Sequence, residues 1–443
     1  MSSNPAPKPP PLPPLPAPLR LGPRPLPLHL AMEGWILQMS LNGLMPSTDA
    51  LPLWKQFKDA WMPAAFPTAQ GMNDPLHRVA AEALGKNPET FSGSWQSALD
   101  ASRFLTAVTD EAHARMERFM CGIMTYQYHS HRRTLESAPA VWNHGVATLR
   151  DYGGPADASP TLFVPSLINR AYVLDLSLNN SLLRTAAKDL RAYLLDWGEP
   201  GDGEKQFTME DYVDAVLIPA LAEVKARTGQ TPRLVGYCMG GTLSVAPAVL
   251  RPDLISKLAL LATPWDFHVG SEPSRLMLAG FRPVIESILG ANGCAPVDLL
   301  QTLFASLDPT LVGRKFRNFA ALDSRSDAAR RFIELEDWLN DGIVLAEPVA
   351  RECLFGWYTA NETASNTWRM NGTVIDPAKI TAPTLAVLPT NDRIVPPESA
   401  RKLAASIPRA EMHTVNLGHI GMVAGSEAPK AVYAPLIAWL KAP

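Results

Sequence analysis

The spacing of apolar and polar positions changes character near residue 160. Between residues 30 and 150, apolar side chains such as Val108, Met116 and Phe119 recur at near-helical intervals, which predicts amphipathic helices. Beyond residue 160, short apolar runs alternate with helical stretches, and these runs are predicted to be strands. The runs are 161–164, 193–197, 233–237, 257–262, 384–388 and 411–415. This alternation indicates an α/β fold whose mainly parallel sheet is covered by helices on both faces.

One connection within this alternation is much longer than the others. About 120 residues separate the apolar run that ends at Ala262 from the run that begins at Thr384, and they contain no clear strand. Several segments inside the connection have apolar positions at helical spacing. Because loops of this length rarely lack structure of their own, we predict a helical cap inserted at about residues 265–380.

Proline separates the beginning of the chain from the rest. Twelve of the 42 prolines fall within the first 28 residues. Proline lacks a backbone N–H and clashes with the preceding helical turn, so residues 1–29 are predicted to be a disordered leader of polyproline II character. A docking segment for a partner or a surface is the alternative. Residues 30–150 then form a helical N-terminal region, and 151–443 form the α/β domain.

Composition excludes several classes of protein. Of the 443 residues, 47% are hydrophobic and 19% are charged, as in globular proteins. A net charge of −3 argues against a nucleic-acid partner. The longest charge-free apolar run, 234–250, is short for a transmembrane segment and contains three glycines and a proline. Four scattered cysteines argue against a disulfide framework or a metal site and favour a reducing cytoplasm.

The sharpest local motif is Gly-Tyr-Cys-Met-Gly-Gly at 236–241, between a predicted strand and a small apolar helix. It has the form of the nucleophile elbow G-x-S-x-G, with Cys238 in the place of serine. The glycines are needed because the nucleophile lies in a strained turn that strand and helix cross closely. A cysteine thiolate at a helix N-terminus suits acyl transfer from thioesters. The N–H of Met239 would then contribute to an oxyanion hole.

An acid and a histidine follow the elbow in a meaningful order. Asp392 comes after the strand at 384–388, at the sheet edge where α/β proteins place their ligands. His419 follows the next strand, 27 residues further on. Nucleophile, acid and histidine in this order form the triad of hydrolase-like folds. We therefore predict a catalytic triad in which His419 is the base and Asp392 orients it.

These motifs give the sequence a clear resemblance to a known family. It resembles the polyhydroxyalkanoate synthases, cysteine enzymes of the α/β-hydrolase fold, over roughly residues 110–443. The matching segments are 165–170 (Pro-Ser-Leu-Ile-Asn-Arg), 174–176, 180–182, 211–212, 236–242, 392–396 (Asp-Arg-Ile-Val-Pro) and 418–420 (Gly-His-Ile). The resemblance implies an α/β-hydrolase fold with a helical cap insertion and a helical N-terminal region.

The resemblance also implies an activity and its participants. The expected enzyme is an acyltransferase that polymerises (R)-3-hydroxyacyl-CoA thioesters on Cys238 and releases CoA, so that CoA is part of the substrate and no cofactor is required. By analogy with hydrolases, the N–H of Leu167 is the expected second oxyanion donor. The implied partners are hydroxyacyl-CoA, the growing polyester, and a second copy or a second synthase subunit. The implied location is the cytoplasm, at polyester storage granules.

Two other functions stay open at this point. The same triad would serve a cysteine-dependent polyhydroxyalkanoate depolymerase or a thioester or ester hydrolase, because a triad does not set the direction of reaction. A non-catalytic granule-associated subunit could keep the same fold. The intact triad argues against this last alternative.

The remaining candidate residues are interpreted as structural. Arg393, where such synthases often have histidine after the acid, is expected in a surface ion pair, with contact to CoA phosphates as the alternative. Trp338 and Trp357 are expected in the core of the cap, with the lining of an acyl channel as the alternative. Turn, sheet or packing roles are predicted for Asp266, His129, His131, His144, His413, Cys121, Cys294 and Cys353.

Overall fold

A computed structural model describes residues 19–42, 98–270 and 272–442 of the chain. Its centre is an eight-stranded sheet in the spatial order β1-β2-β4-β3-β5-β6-β7-β8. The pairs β1/β2 and β2/β4 are antiparallel, and the other pairs are parallel. The strands are β1 (Ala140–His144), β2 (Ala147–Asp151), β3 (Pro160–Val164), β4 (Arg191–Asp196), β5 (Arg233–Tyr237), β6 (Lys257–Leu261), β7 (Thr384–Pro389) and β8 (Glu411–Val415).

Helices cover both faces of this sheet. A π-helical turn, Tyr212–Leu217, leads into α4, and another, Glu352–Thr359, continues α10. The helices are α1 (Leu26–Asn42), α2 (Ala98–Tyr128), α3 (Leu182–Ala186), α4 (Ile218–Thr228), α5 (Met239–Leu250), α6 (Glu272–Asn292), α7 (Val297–Leu307), α8 (Leu311–Ala320), α9 (Asp327–Asn340), α10 (Glu347–Arg351), α11 (Pro397–Ser406), α12 (Gly421–Ala424) and α13 (Ala434–Lys441). In the described part of the chain, none of them is long and apolar enough to cross a bilayer.

The six predicted strands are present and form the parallel part of the sheet. Every residue of β3, β6 and β7 is buried, because layers of apolar side chains pack on both faces of the sheet. The predicted α/β-hydrolase fold class is thereby confirmed, including the helical insertion between β6 and β7, which contains α6 to α10.

Two predicted boundaries in the N-terminal third are wrong. Residues 30–150 do not contain helices alone, because β1 and β2 extend the sheet there as an antiparallel edge. No residue of β1 is buried, and β2 buries only Ala147 and Leu149, so these strands lack the continuous apolar pattern of the central strands. The predicted leader 1–29 also ends too late. Helix α1 begins at Leu26 and accommodates Pro27 because first-turn N–H groups have no intrahelical acceptor.

Part of the predicted leader packs against the folded domain. Arg20 and His29 are buried at 8% and 4% exposure, respectively. Residues 19–29 are therefore not a disordered leader. Residues 1–18 of that prediction, and residues 43–97 of the predicted helical region, lie outside the described residues.

Candidate active site

Cys238 occupies the turn between β5 and α5, as the elbow motif predicts. Its backbone has φ of 55° and ψ of −130°, a region that non-glycine residues rarely adopt and that surrounding structure must enforce. The Cys238 N–H donates to the carbonyl of Leu261 on β6 at 2.9 Å, and the Cys238 carbonyl accepts from Gly241 N–H at 2.9 Å. The turn is thus held from both sides.

Glycines let the start of α5 approach its neighbours closely. A Cβ on Gly240 would collide with the carbonyl oxygens of Val164 and Pro165, at the end of β3. A Cβ on Gly236 would collide with the backbone of Gly241. The elbow sequence is therefore required by close packing of β3, β5 and α5 at the point where Cys238 emerges.

Asp392 and His419 meet beyond the ends of β7 and β8. The imidazole Nδ1 of His419 lies 2.6 Å from Oδ2 of Asp392, and both residues are buried. The other carboxylate oxygen accepts the backbone N–H groups of Ile394 and Val395, each at 2.8 Å. Asp392 is consequently fixed by the loop that follows β7 and can orient the imidazole without a further partner.

The surroundings of His419 favour its charged form. Burial alone lowers the pKa of a histidine, but here the Cys238 sulfur and the Asp392 carboxylate, both hydrogen-bonded to the ring, outweigh burial and raise the pKa of His419 to about 10. The structure thus brings together the three side chains that the sequence analysis singled out.

Tyr237 contacts the histidine as well, which the sequence analysis missed. Its hydroxyl donates to the backbone carbonyl of His419 at 3.2 Å, and its ring lies 5.3 Å from the imidazole with a tilt of 32°. The pKa of Tyr237 is raised well above its ordinary value by burial, so the hydroxyl stays a donor. The position beside Cys238 in the elbow was the available signal.

The two predicted oxyanion donors belong to different segments. Met239 is the first residue of α5, and Leu167 lies in the loop after β3. That loop is anchored by the indole N–H of Trp197, which donates to the Pro165 carbonyl at 3.0 Å, and by the Ser166 hydroxyl, which accepts from Ile168 N–H at 3.0 Å. Among the described residues, neither the Met239 N–H nor the Leu167 N–H has a hydrogen-bond acceptor.

A cavity of about 280 Å³ opens at Cys238 and His419. Its walls come from the loop after β3, from cap helices α7, α8 and α9, and from Pro23, Arg24 and His29 of the N-terminal segment. Most of its surface is apolar. A smaller apolar cavity of about 60 Å³ shares Ile168, Phe304 and Leu307 with it. The site is therefore enclosed by three separate parts of the chain.

Two of the three residues with an alternative role at the cavity do line it. Trp338 lines the cavity and donates its indole N–H to the Arg170 carbonyl at 2.8 Å. Trp357 instead lies in the core, stacked on Phe267. Arg393 forms the expected ion pair, with Asp308, and also lines the cavity.

Asp266 and His413, which are not part of the triad, have structural partners. Asp266 accepts from the Asn361 amide and from His268 N–H, each at 2.9 Å, and pairs with Lys402. His413 is paired with the Ala431 carbonyl. Across the described ranges, no group of three potential ligands is arranged to hold a metal ion.

The three remaining cysteines differ in their surroundings. Cys294 and Cys353 are buried, as expected of packing residues. The packing role predicted for Cys121 is wrong, because this residue is exposed. It lies on the face of α2 opposite the buried Phe119 and Ile123.

The sequence was compared with known families and proteins. Residues 162–425 match the profile of the alpha/beta hydrolase fold family. The poly(3-hydroxyalkanoate) polymerase subunit PhaC of Allochromatium vinosum is 30% identical over 312 residues, which cover 68% of this chain and 87% of that protein. The subunit of the same name from Haloferax mediterranei is 30% identical over 287 residues, 63% of this chain and 58% of that protein. For the Cupriavidus necator subunit the identity is 28%, over 62% and 48%.

Proposed function

The chain belongs to the poly(3-hydroxyalkanoate) polymerase family of α/β-hydrolase-fold proteins, and we propose that it polymerises (R)-3-hydroxyacyl-CoA thioesters and releases CoA. The observation that carries the proposal is the buried contact of His419 with both Asp392 and Cys238 at one cavity. Cysteine suits this chemistry because an acyl group on sulfur remains an activated thioester until a hydroxyl accepts it.

In the loading step, the Cys238 thiolate attacks the thioester carbonyl. A bond forms between the carbonyl carbon and Sγ, and the bond between that carbon and the CoA sulfur breaks. The departing CoA thiolate takes the proton of the His419 imidazolium, so the products are acyl-Cys238, neutral His419 and free CoA. The raised pKa of His419 supports this start from an ion pair.

In the elongation step, neutral His419 accepts the proton of a 3-hydroxyl group. The hydroxyl oxygen attacks the carbonyl carbon of acyl-Cys238, an ester bond forms, and Cys238 leaves as a thiolate. The imidazolium is thereby restored, and Asp392 stabilises it through the 2.6 Å contact with Nδ1. Each tetrahedral intermediate develops a negative oxygen, for which the Met239 and Leu167 N–H groups are the proposed donors.

Water would compete with the hydroxyl and yield the free acid. The cavity walls argue for transfer to the hydroxyl, because cap residues such as Phe304, Trp338 and Leu339 enclose the site with mostly apolar surface. The relatives from Haloferax mediterranei and Allochromatium vinosum are named polymerase subunits. We therefore extend the proposal: the protein acts with a second copy or a partner subunit, at polyester granules. Light scattering tests the assembly, and co-sedimentation with granules tests the location.

The decisive experiment supplies the purified protein with 3-hydroxybutyryl-CoA and follows CoA release and product mass. Wild type should give oligomeric ester. Cys238→Ala should lose at least about 10³-fold in the rate of CoA release, whereas the matched variant Cys121→Ala, at an exposed cysteine, should retain it. If the product is free acid without oligomer, the activity is that of a hydrolase and not of a polymerase. Full activity of Cys238→Ala would remove the nucleophile assignment.

A further inference from the structure

The cavity at Cys238 is positively charged within an acidic chain. The whole chain has a net charge of −3. Among the described residues, the charged side chains that line the cavity are the basic Arg24, Arg170, Arg314, Lys315 and Arg393 and the acidic Asp308 and Glu336. Leaving aside the histidines and Cys238, this lining has three more basic than acidic side chains. Such a field attracts an anionic substrate toward the nucleophile.

Two of these cations are matched by acidic partners of their own. Lys315 pairs with the buried Glu336 at 2.7 Å. Arg170 pairs with Glu199 at 3.0 Å and with Asp341 at 3.2 Å. A ligand could use the charge of either side chain only by breaking an existing ion pair. The other three arginines have only two carboxylates among them.

Arg24, Arg314 and Arg393 lie where the cavity meets solvent. Their side chains are exposed by 37%, 46% and 72%, respectively. Arg314 and Arg393 share the single carboxylate of Asp308, and Arg24 uses its Nε for Asp298 at 2.9 Å. A guanidinium has five N–H donors in a planar fork that fits phosphate oxygens. Three arginines with two carboxylates thus retain both charge and donors for an anion.

Arg24 reaches this position because the N-terminal segment is fastened to the fold. Arg20, four residues before it, is buried, pairs with Asp337 at 2.5 Å, and donates to the backbone carbonyls of His129 and His131. The backbone N–H of Arg24 donates to the Asn340 side chain at 2.8 Å. The segment is therefore held by bonds that do not involve the Arg24 guanidinium.

We propose that Arg24, Arg314 and Arg393 bind the phosphate groups of the CoA moiety at the entrance of the cavity. This inference rests on the proposed function, because the thioester must reach Cys238 from the same cavity. Arg24 is a binding residue contributed by a segment that precedes the catalytic domain. The enclosed, mostly apolar part of the cavity then remains for the acyl group and the pantetheine arm.

Two thioesters test the proposal: the CoA thioester, and a truncated one that lacks the phosphates, the adenosine and most of the pantetheine arm. Arg24→Gln should raise KM for 3-hydroxybutyryl-CoA on the order of tenfold, as expected for the loss of a charge-assisted contact. KM for the N-acetylcysteamine thioester, which has no phosphate, should stay unchanged. Arg251→Gln is the matched control, because Arg251 pairs with Asp253 through Nε at the same 2.9 Å and lies outside the cavity lining. It should change neither KM.

Equal increases in both KM values for Arg24→Gln would overturn the proposal, since they would reflect a disturbed cavity wall. Calorimetric binding of free CoA gives an independent readout that needs no turnover. Wild type should bind CoA more tightly than Arg24→Gln, and more weakly as salt increases. If CoA binds wild type and variant equally, the inference fails. If binding depends on Arg24 but no thioester is turned over, the proposed function fails while the inference stands.

Discussion

Tyr237 holds His419 through its backbone. Its buried hydroxyl donates to the His419 carbonyl, and its ring lies against the imidazole. Because Asp392 fixes only Nδ1, the rest of the imidazole is positioned by its own backbone and by packing. Tyr237 is accordingly a positioning residue, acting through His419 and not on the substrate.

Tyr237→Phe should keep the ring and lose the hydrogen bond. We expect a loss of about 1–2 kcal/mol in the free energy of unfolding, because the carbonyl becomes unsatisfied in a buried place, and a lower kcat with a shifted pH profile. Tyr433→Phe is the control, since its buried hydroxyl donates to the Val423 carbonyl at 2.5 Å and not to a residue of the triad. It should lose similar stability with an unchanged pH profile. Identical profiles for both variants would assign Tyr237 a purely structural role.

The charge of His419 depends on its neighbours and can be titrated directly. Cys238 and Asp392 together raise the pKa of His419 to about 10 against the lowering effect of burial. In Cys238→Ala the first of these two contributions disappears, so the pKa of His419 should fall. Histidine-selective NMR titration of both proteins measures the difference. An unchanged midpoint would mean that the thiolate does not stabilise the imidazolium.

The same shift has a consequence for stability. A histidine whose pKa is higher in the folded than in the unfolded protein contributes stability that is fully present below about pH 6.5 and is lost as pH rises toward 10. Urea unfolding of wild type between pH 6.5 and 10 should show this decline. His419→Gln should remove that part of the pH dependence.

At the scale of secondary-structure elements, the close approach of α5 to the end of β3 forms the elbow. Gly240→Ala would force its new Cβ against the Val164 and Pro165 carbonyls. We expect a loss of stability of about 1–3 kcal/mol and a drop in turnover, because the loop that contains Leu167 must shift. Gly280→Ala, on the exposed face of α6 with no atom within 4 Å of its Cβ, should be neutral or stabilising. Thermal unfolding and CoA release should be measured for both variants. Equal effects of the two substitutions would contradict the inference that close packing requires a glycine at position 240.

Elements with a complete hydrophobic pattern could be predicted from the sequence, and elements with an incomplete one could not. The central strands, such as β3 and β6, are buried on both faces and read as unbroken apolar runs. Strand β1 has an exposed, mixed pattern at the sheet edge, so nothing distinguishes it from a loop. Only the first turn of helix α1, at residues 26–29, was missed, because it falls in the proline-rich stretch, although Pro27 lies where a helix tolerates one.

At the scale of the whole molecule, the triad could be predicted from the sequence, whereas the cavity could not. Cys238, Asp392 and His419 follow strands of a parallel sheet, so topology alone predicts that they converge. The cavity wall instead requires contacts across long stretches of chain. The pair between Arg20 and Asp337 joins residues 317 positions apart, and no local motif indicates such a pairing. The N-terminal share of the site therefore emerged only from the three-dimensional structure.

Truncation distinguishes a dispensable leader from a part of the site. Removing residues 1–18 leaves every contact among the described residues intact, so the melting temperature and KM for 3-hydroxybutyryl-CoA should be unchanged. Removing residues 1–28 also deletes Arg20, with its ion pair, and Pro23 and Arg24, which line the cavity. The Asp337 side chain is 24% exposed, and the loss of a hydrogen bond to a charged group costs about 1.5–3 kcal/mol. The melting temperature should therefore fall by a few degrees, and KM should rise. Arg20→Gln, which keeps the chain length, should reproduce the fall in melting temperature. If the two truncations behave alike, residues 19–28 contribute neither to stability nor to substrate binding.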